Sequence, residues 1–206
     1  MPRGVAITEP RQQLFAALEA VVTEAGPARL TSRAVTQQAG VATGLLYAHF
    51  ANFDDFLVGY AVDRTFQIAG TVAGLPSRAG TGTVADNLSD ALLATPLDTL
   101  LTLTRLLAFR PDLAAGVQAV LGDEAGALAA IERAIAGYLT AERKLGRVPA
   151  GADPAALALA MVAVLHHVVL TATGAAAART RIRRTIAELT RALYSDTSRR
   201  AGPAIE

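Results

Sequence analysis

The sequence predicts an all-α protein of about nine helices. Apolar residues recur at spacings of three and four along most of the 206 residues, and no segment alternates as a half-buried strand does. Proline, glycine and small hydroxyl or carboxylate residues stand where the periodic segments begin and end. Within residues 30–57 two short helical segments flank a glycine, the pattern of a helix-turn-helix.

The first helix is expected from Glu9 to Ala25. Thr8 is placed to cap it, Pro10 suits its first turn and Gly26-Pro27 ends it. Leu14, Leu18, Val21 and Val22 form its apolar stripe, extended by Ala17 and Ala25. In the second helix Thr31 is the N-cap candidate, and Leu30, Val35 and Ala39 supply an apolar face. Gly40 stands where this helix must stop and Val41 follows as an apolar plug. The third helix runs from about Ala42 to Phe50, with Leu46 and Phe50 inward and Thr43, Gly44, Leu45, Tyr47 and His49 outward. A fourth begins near Asn52 or Phe53, with Asp54 and Asp55 favourable at its positive end, and carries Phe56, Leu57, Tyr60, Phe66 and Ile68 towards Leu75. After a Pro/Ser/Gly loop, a fifth helix spans Val84 to Ala94. Thr95-Pro96 opens a sixth that reaches about Phe109. Pro111 starts a long seventh helix, in which Val117, Leu121, Leu128, Ile131, Ile135 and Tyr138 keep helical spacing and Gly122-Asp123 is the point for a break or a kink. Asp153-Pro154 is a strong start for the eighth, which runs to about Thr173. That helix is apolar almost all round and must be buried on more than one side. In the ninth, Ile182, Ile186, Leu189 and Leu193 form a narrow seam suited to helix pairing.

The run Ala39 to Phe50, AGVATGLLYAHF, resembles the signature of TetR-family transcriptional regulators, and the resemblance extends from Arg11 to about Arg64. It implies three domains: a helix-turn-helix head at residues 1–52, a helical effector-binding and dimerisation domain at 53–196, and a flexible tail at 197–206. It implies that Thr31, Arg33, Thr43, Gly44, Leu45, Tyr47 and His49 face double-stranded DNA. Tyr47 and His49 match the family's phosphate-contacting positions, Arg33 and Thr31 reach backbone phosphate, and Arg3 and Arg11 are further candidates. The chain departs from the family's pattern at three places. Leu45 stands where family members often carry a hydroxyl and offers only apolar contact, for example with a thymine methyl. Phe53 replaces a lysine. Ala42 stands for a frequent serine, which leaves Thr43 or DNA to cap the third helix. Each of the last two losses lowers affinity by roughly 1–2 kcal/mol.

Charge and composition bound the function classes. The net charge is +1, and residues 1–60 hold four arginines (Arg3, Arg11, Arg29, Arg33) against five acids (Glu9, Glu19, Glu24, Asp54, Asp55), a net of −1. Phosphate neutralisation dominates non-specific DNA affinity, so this balance argues for weak non-specific binding. Backbone N–H groups and hydroxyls also hold phosphates, so specific binding remains open. With no cysteine, thiolate chemistry and disulfides are excluded. Together with the lack of an apolar signal region near the start, this leads to an expected cytoplasmic location. The apolar run Ala155 to Leu170 is short for a span, so no membrane partner is expected. Adjacent His166 and His167 point about 100° apart on a helix, a poor arrangement for a shared metal. No nucleophile set, metal-spaced cluster or phosphate loop supports an enzyme, and no cofactor or metal is called for.

The leading reading is a ligand-responsive repressor that binds a palindromic operator as a homodimer and is released by a small apolar effector. Phe66, Leu103, Arg105, Phe109, Tyr138, Met161 and His166 are the candidate effector residues. Leu165 and Val169 with Ile182, Ile186, Leu189 and Leu193 are the candidate dimer residues, since TetR-like proteins pair their last two helices into a four-helix bundle. The alternative is a dimeric ligand- or protein-binding module whose DNA binding is weakened or lost.

Overall fold

The computed structural model describes residues 9–122, 126–172 and 174–200, with side chains as far as Leu193. The expected Thr8 cap, the Arg3 contact, Asp123 and residues 201–206 of the expected tail lie outside the described residues. The described residues form ten α-helices and no strand: α1 (Pro10–Ala25), α2 (Ser32–Gln38), α3 (Thr43–His49), α4 (Phe53–Val72), α5 (Val84–Ala94), α6 (Leu97–Phe109), α7 (Leu113–Leu121), α8 (Ala127–Lys144), α9 (Pro154–Thr171) and α10 (Ala175–Arg200). The expected long seventh helix is therefore two. Gly122 takes φ 84 and closes α7 by donating its N–H to the Gln118 carbonyl at 2.7 Å, a backbone conformation that favours glycine. Helix α10 also continues through residues 197–200, which the sequence assigned to the tail.

The chain divides into two compact units, Met1–Arg64 with Leu101–Asp123, and Thr65–Leu100 with Glu124–Glu206. In the first unit, α1 packs on α2 and α3 around Leu14, Leu18, Val22, Val35 and Leu46, all buried. Phe15, which the α1 stripe omitted, is the centre of an aromatic cluster with Phe50, Phe56 and Tyr60 at 5.6–5.9 Å between ring centroids. Such tilted and edge-on pairs add about 0.5–1.5 kcal/mol each beyond their burial. Ala25, by contrast, is exposed. A polar cluster ties α1 to α4. The buried Arg64 donates from Nε to Glu19 at 2.8 Å and from one terminal nitrogen to Asp63 at 2.7 Å and Gln12 at 2.9 Å, and the Tyr60 hydroxyl donates to Glu19 at 3.1 Å. Burial above all, and then the Glu19 carboxylate, push the Tyr60 phenol far above its ordinary range. Helix α7 lies close on α4, since a Cβ on Gly116 would stand 2.8 Å from Val58 Cγ2. Arg110 joins Asp54 at the start of α4 at 2.9 Å and also bonds Asp112, whose pKa it lowers.

In the second unit α9 packs between α8 and α10, and α10 also packs on α5. Asp153 caps α9 as expected, accepting the Ala155 and Ala156 N–H groups at 2.9 and 3.3 Å. Helix α9 has mean hydropathy 1.9 over 18 residues, enough by length and composition to cross a membrane, and only part of it is buried in this unit. Its buried side holds Ala158, Met161, Val162, Leu165, Val168 and Val169. Its other side is exposed, contrary to the expectation of burial all round: Ala156, Leu159, Ala160, Ala163, His167 and Leu170 recur there at three- and four-residue spacing, with Leu159 at 57% and Leu170 at 41% exposure. A buried polar group anchors the loop before α5. Glu142 accepts the Gly80 N–H at 3.3 Å and faces Arg147 Nε at 3.3 Å, while Asn87 donates to Tyr138 at 3.0 Å and to the Thr81 carbonyl at 2.7 Å.

Candidate nucleic-acid interface

The helix-turn-helix is built from local chemistry. Thr31 caps α2 by accepting the Ala34 N–H at 3.1 Å. The turn needs Gly40 at φ 68, and the Val41 N–H then closes onto the Thr36 carbonyl at 2.9 Å. Gln13 of α1 donates to the Ala39 carbonyl at 2.8 Å and fixes the turn against the first helix. Leu46 is fully buried and Phe50 nearly so, which orients α3.

That orientation leaves Thr43, Gly44, Tyr47, Ala48 and His49 exposed and Leu45 half-buried, with Thr31 and Arg33 exposed on the neighbouring α2. All seven residues expected to face DNA therefore lie on this helix pair. Ala48 shares the outward side and was missed, because an alanine gives no polar signal. Thr43 does not cap α3: Ala42 holds the cap position without a side-chain bond. The Thr43 hydroxyl instead meets Thr36 Oγ1 at 3.2 Å. The Thr36 hydroxyl also lies 2.9 Å from the Ser32 carbonyl, to which it can donate. Phe53, in place of a lysine, stacks on Phe56 at 5.7 Å and extends the aromatic core. Arg11 lays its guanidinium over the Phe50 ring at 4.8 Å, a cation–π contact that holds it beside the head.

The expected effector residues are scattered. Leu103, Tyr138 and Met161 are buried, and Arg105 and His166 are half-buried. Phe66 and Phe109, expected to line a cavity, are 64% and 52% exposed, because the apolar stripes of α4 and α6 turn other side chains inward. Leu103, Arg105 and Phe109 belong to the first unit and the other four to the second. A cavity of about 370 Å³ opens beside Thr83, Val84 and Ala85 of the α5 start and Ala187, Thr190 and Arg191 of α10, and none of the seven lines it. Among the described residues no group of three or more His, Cys, Asp or Glu is placed to hold a metal ion.

Four of the six expected dimer residues lie inside the single chain. Leu165, Val169, Ile182 and Ile186 are buried within the single chain, so they are core and not free surface. Leu189 and Leu193 are half-buried. The surface that α9 leaves open is the stripe from Ala156 to Leu170.

Residues 14–58 match the family model for bacterial regulatory proteins of the tetR family. No curated protein sequence matches the chain. Among solved structures, the fatty acid degradation regulator FadR from Bacillus halodurans is similar at 15% identity with a TM-score of 0.70, over 90% of this chain and 97% of that one. A TetR transcription regulator from Haloarcula marismortui is similar at 12% identity and a TM-score of 0.68, over 91% and 99%. FadR from Bacillus subtilis, solved in complex with stearoyl-CoA, is similar at 17% identity and a TM-score of 0.63, over 87% and 97%. At these identities the likeness is one of fold. The helix-turn-helix at residues 14–58 is thus of the kind that the tetR-family model describes, and the fold of the chain is similar to that of solved TetR regulators.

Proposed function

We propose that this protein is a cytoplasmic, non-enzymatic transcriptional repressor that binds a palindromic operator as a homodimer and releases it when a small apolar effector binds. The observation that carries the reading is the outward face of α3. Leu46 and Phe50 are locked in the core while Thr43, Gly44, Tyr47 and His49 stand exposed beside Thr31 and Arg33. A helix so presented is what a major-groove reader requires. Residues 1–52 act as the reading head and residues 53–196 as the effector and dimer part. The homodimer reading is supported by the exposed apolar stripe of α9, which a second copy covers in a symmetric interface. A long acyl chain is the first apolar effector class to test, since one structure of similar fold holds stearoyl-CoA. Tyr138, Met161 and His166, which belong to one unit, remain its candidate contacts.

The alternative, a dimeric module with weakened DNA binding, draws on the net −1 of residues 1–60 and on Phe53, which packs where a phosphate-binding cation is usual. Selection from a pool of random duplex DNA separates the two. The repressor reading predicts enrichment of an inverted repeat with half-sites an integral number of helical turns apart, about 34–36 Å per turn. A pool that enriches no motif at low salt would favour the module.

A further inference from the structure

We infer that, at the base pairs facing α3, this protein reads thymine through its C5-methyl group and not through hydrogen bonds to base edges. The inference rests on the DNA-reading function proposed above and specifies what that reading recognises. The fully buried Leu46 marks the inward direction of α3. At about 100° per residue, the opposite direction falls between Gly44 and Ala48, flanked by Tyr47 and Leu45. Gly44 and Ala48 are exposed, and a Cβ added at Gly44 meets nothing within 4 Å.

The centre of the reading face therefore carries no side-chain donor or acceptor. Paired hydrogen bonds in the major groove come chiefly from arginine, lysine, asparagine, glutamine and carboxylates, and the α3 sequence TGLLYAH contains none of them. The Thr43 hydroxyl is engaged with Thr36 Oγ1 at 3.2 Å. Tyr47 and His49 lie towards the margins of the face. The side chains capable of paired hydrogen bonds, Arg33, Gln37 and Gln38, are on α2. Towards an apolar face, a base pair in the major groove differs chiefly by the thymine methyl. Gly44 permits close approach, and the Ala48 methyl and the Leu45 side chain supply the complementary apolar surface.

Deoxyuridine lacks that methyl and keeps every hydrogen-bonding group of thymine, which makes it the probe. Each thymine of the selected duplex is replaced in turn, and the affinity of the intact protein is read by fluorescence anisotropy. A contacted thymine should lose about fourfold on replacement, the factor for one methyl-sized apolar group, and a symmetric pair in two half-sites about fifteenfold. In Ala48→Gly, whose fold is checked by circular dichroism, the penalty at one symmetric pair should vanish. Specific binding that is indifferent to deoxyuridine and weakened by 7-deazapurines would overturn this inference and leave the DNA-reading function standing. Deoxyuridine penalties that are unchanged in both Ala48→Gly and Leu45→Ala would overturn the assignment to α3. Absence of any sequence-specific binding would remove the function and the inference together.

Discussion

Replacing Glu19 with alanine tests whether the head is held together by its polar seam. Glu19 receives two hydrogen bonds, from Arg64 Nε at 2.8 Å and from the Tyr60 hydroxyl at 3.1 Å. Arg64 is 6% exposed and Tyr60 fully buried, so neither group regains water easily when its acceptor is removed. A hydrogen bond to a charged group is worth about 1.5–3 kcal/mol and a buried donor left unpaired costs about 1–3 kcal/mol. Two features reduce the sum. Arg64 keeps Asp63 and Gln12, and the Glu19 side chain is 25% exposed, which lets water reach the vacated place. The net expectation is a loss of about 2 kcal/mol. Tyr60→Phe alone should lose about 1 kcal/mol, and the double variant should cost less than the two singles added, because both remove the same bond. The assay is urea unfolding of the full chain at fixed protein concentration, with the slope against urea checked for constancy. A Glu19→Ala midpoint equivalent to less than about 0.5 kcal/mol, the range of an ordinary surface change, would show that the cluster does not hold α1 to α4.

Thr31→Ala removes the cap of α2 and should cost about 1 kcal/mol in thermal unfolding, with weaker DNA binding as α2 frays. Leu159→Glu places a charge on the open stripe of α9; sedimentation should show a monomer with unchanged helical circular dichroism, and a retained dimer would move the interface elsewhere. The Tyr138 phenol is pushed up to about 12, by burial first and then by its hydrogen bond to Glu142. Because the unfolded chain ionises this tyrosine near the ordinary value of about 10, its contribution is intact below that pH and is lost as pH rises towards 12. Alkaline unfolding should therefore be steeper in that window than for Tyr138→Phe.

Much of the fold was legible because its boundaries are set by local chemistry. Thr31 and Asp153 cap the helices they precede, and Gly40 sits at positive φ where the turn requires it. The core faces of α3 follow from Leu46 and Phe50 alone. What the sequence did not disclose depends on distant partners. Phe15 follows Leu14 in an already apolar stripe, and only the folded chain brings Phe50, Phe56 and Tyr60 around it. The pairing of Glu19 with Arg64 spans 45 residues and leaves no local pattern. Four of the six dimer candidates are buried within the single chain for a physical reason. The most apolar seam of α9 and α10 is the one the chain buries for itself, and the open stripe is alanine-rich and interrupted by His167. Gly122 ended α7 outright, although the apolar spacing continues across it.

The central claim, a sequence-specific DNA reader that works through α3, is tested most directly by fluorescence anisotropy of the protein against its selected duplex and a scrambled duplex of equal length, at two salt concentrations, with Tyr47→Ala as control. The account predicts tight binding to the selected duplex, weak and salt-sensitive binding to the scrambled one, and loss of specific binding in Tyr47→Ala while the helical spectrum is unchanged. Equal affinity for the two duplexes, or specific binding that Tyr47→Ala leaves intact, would contradict it.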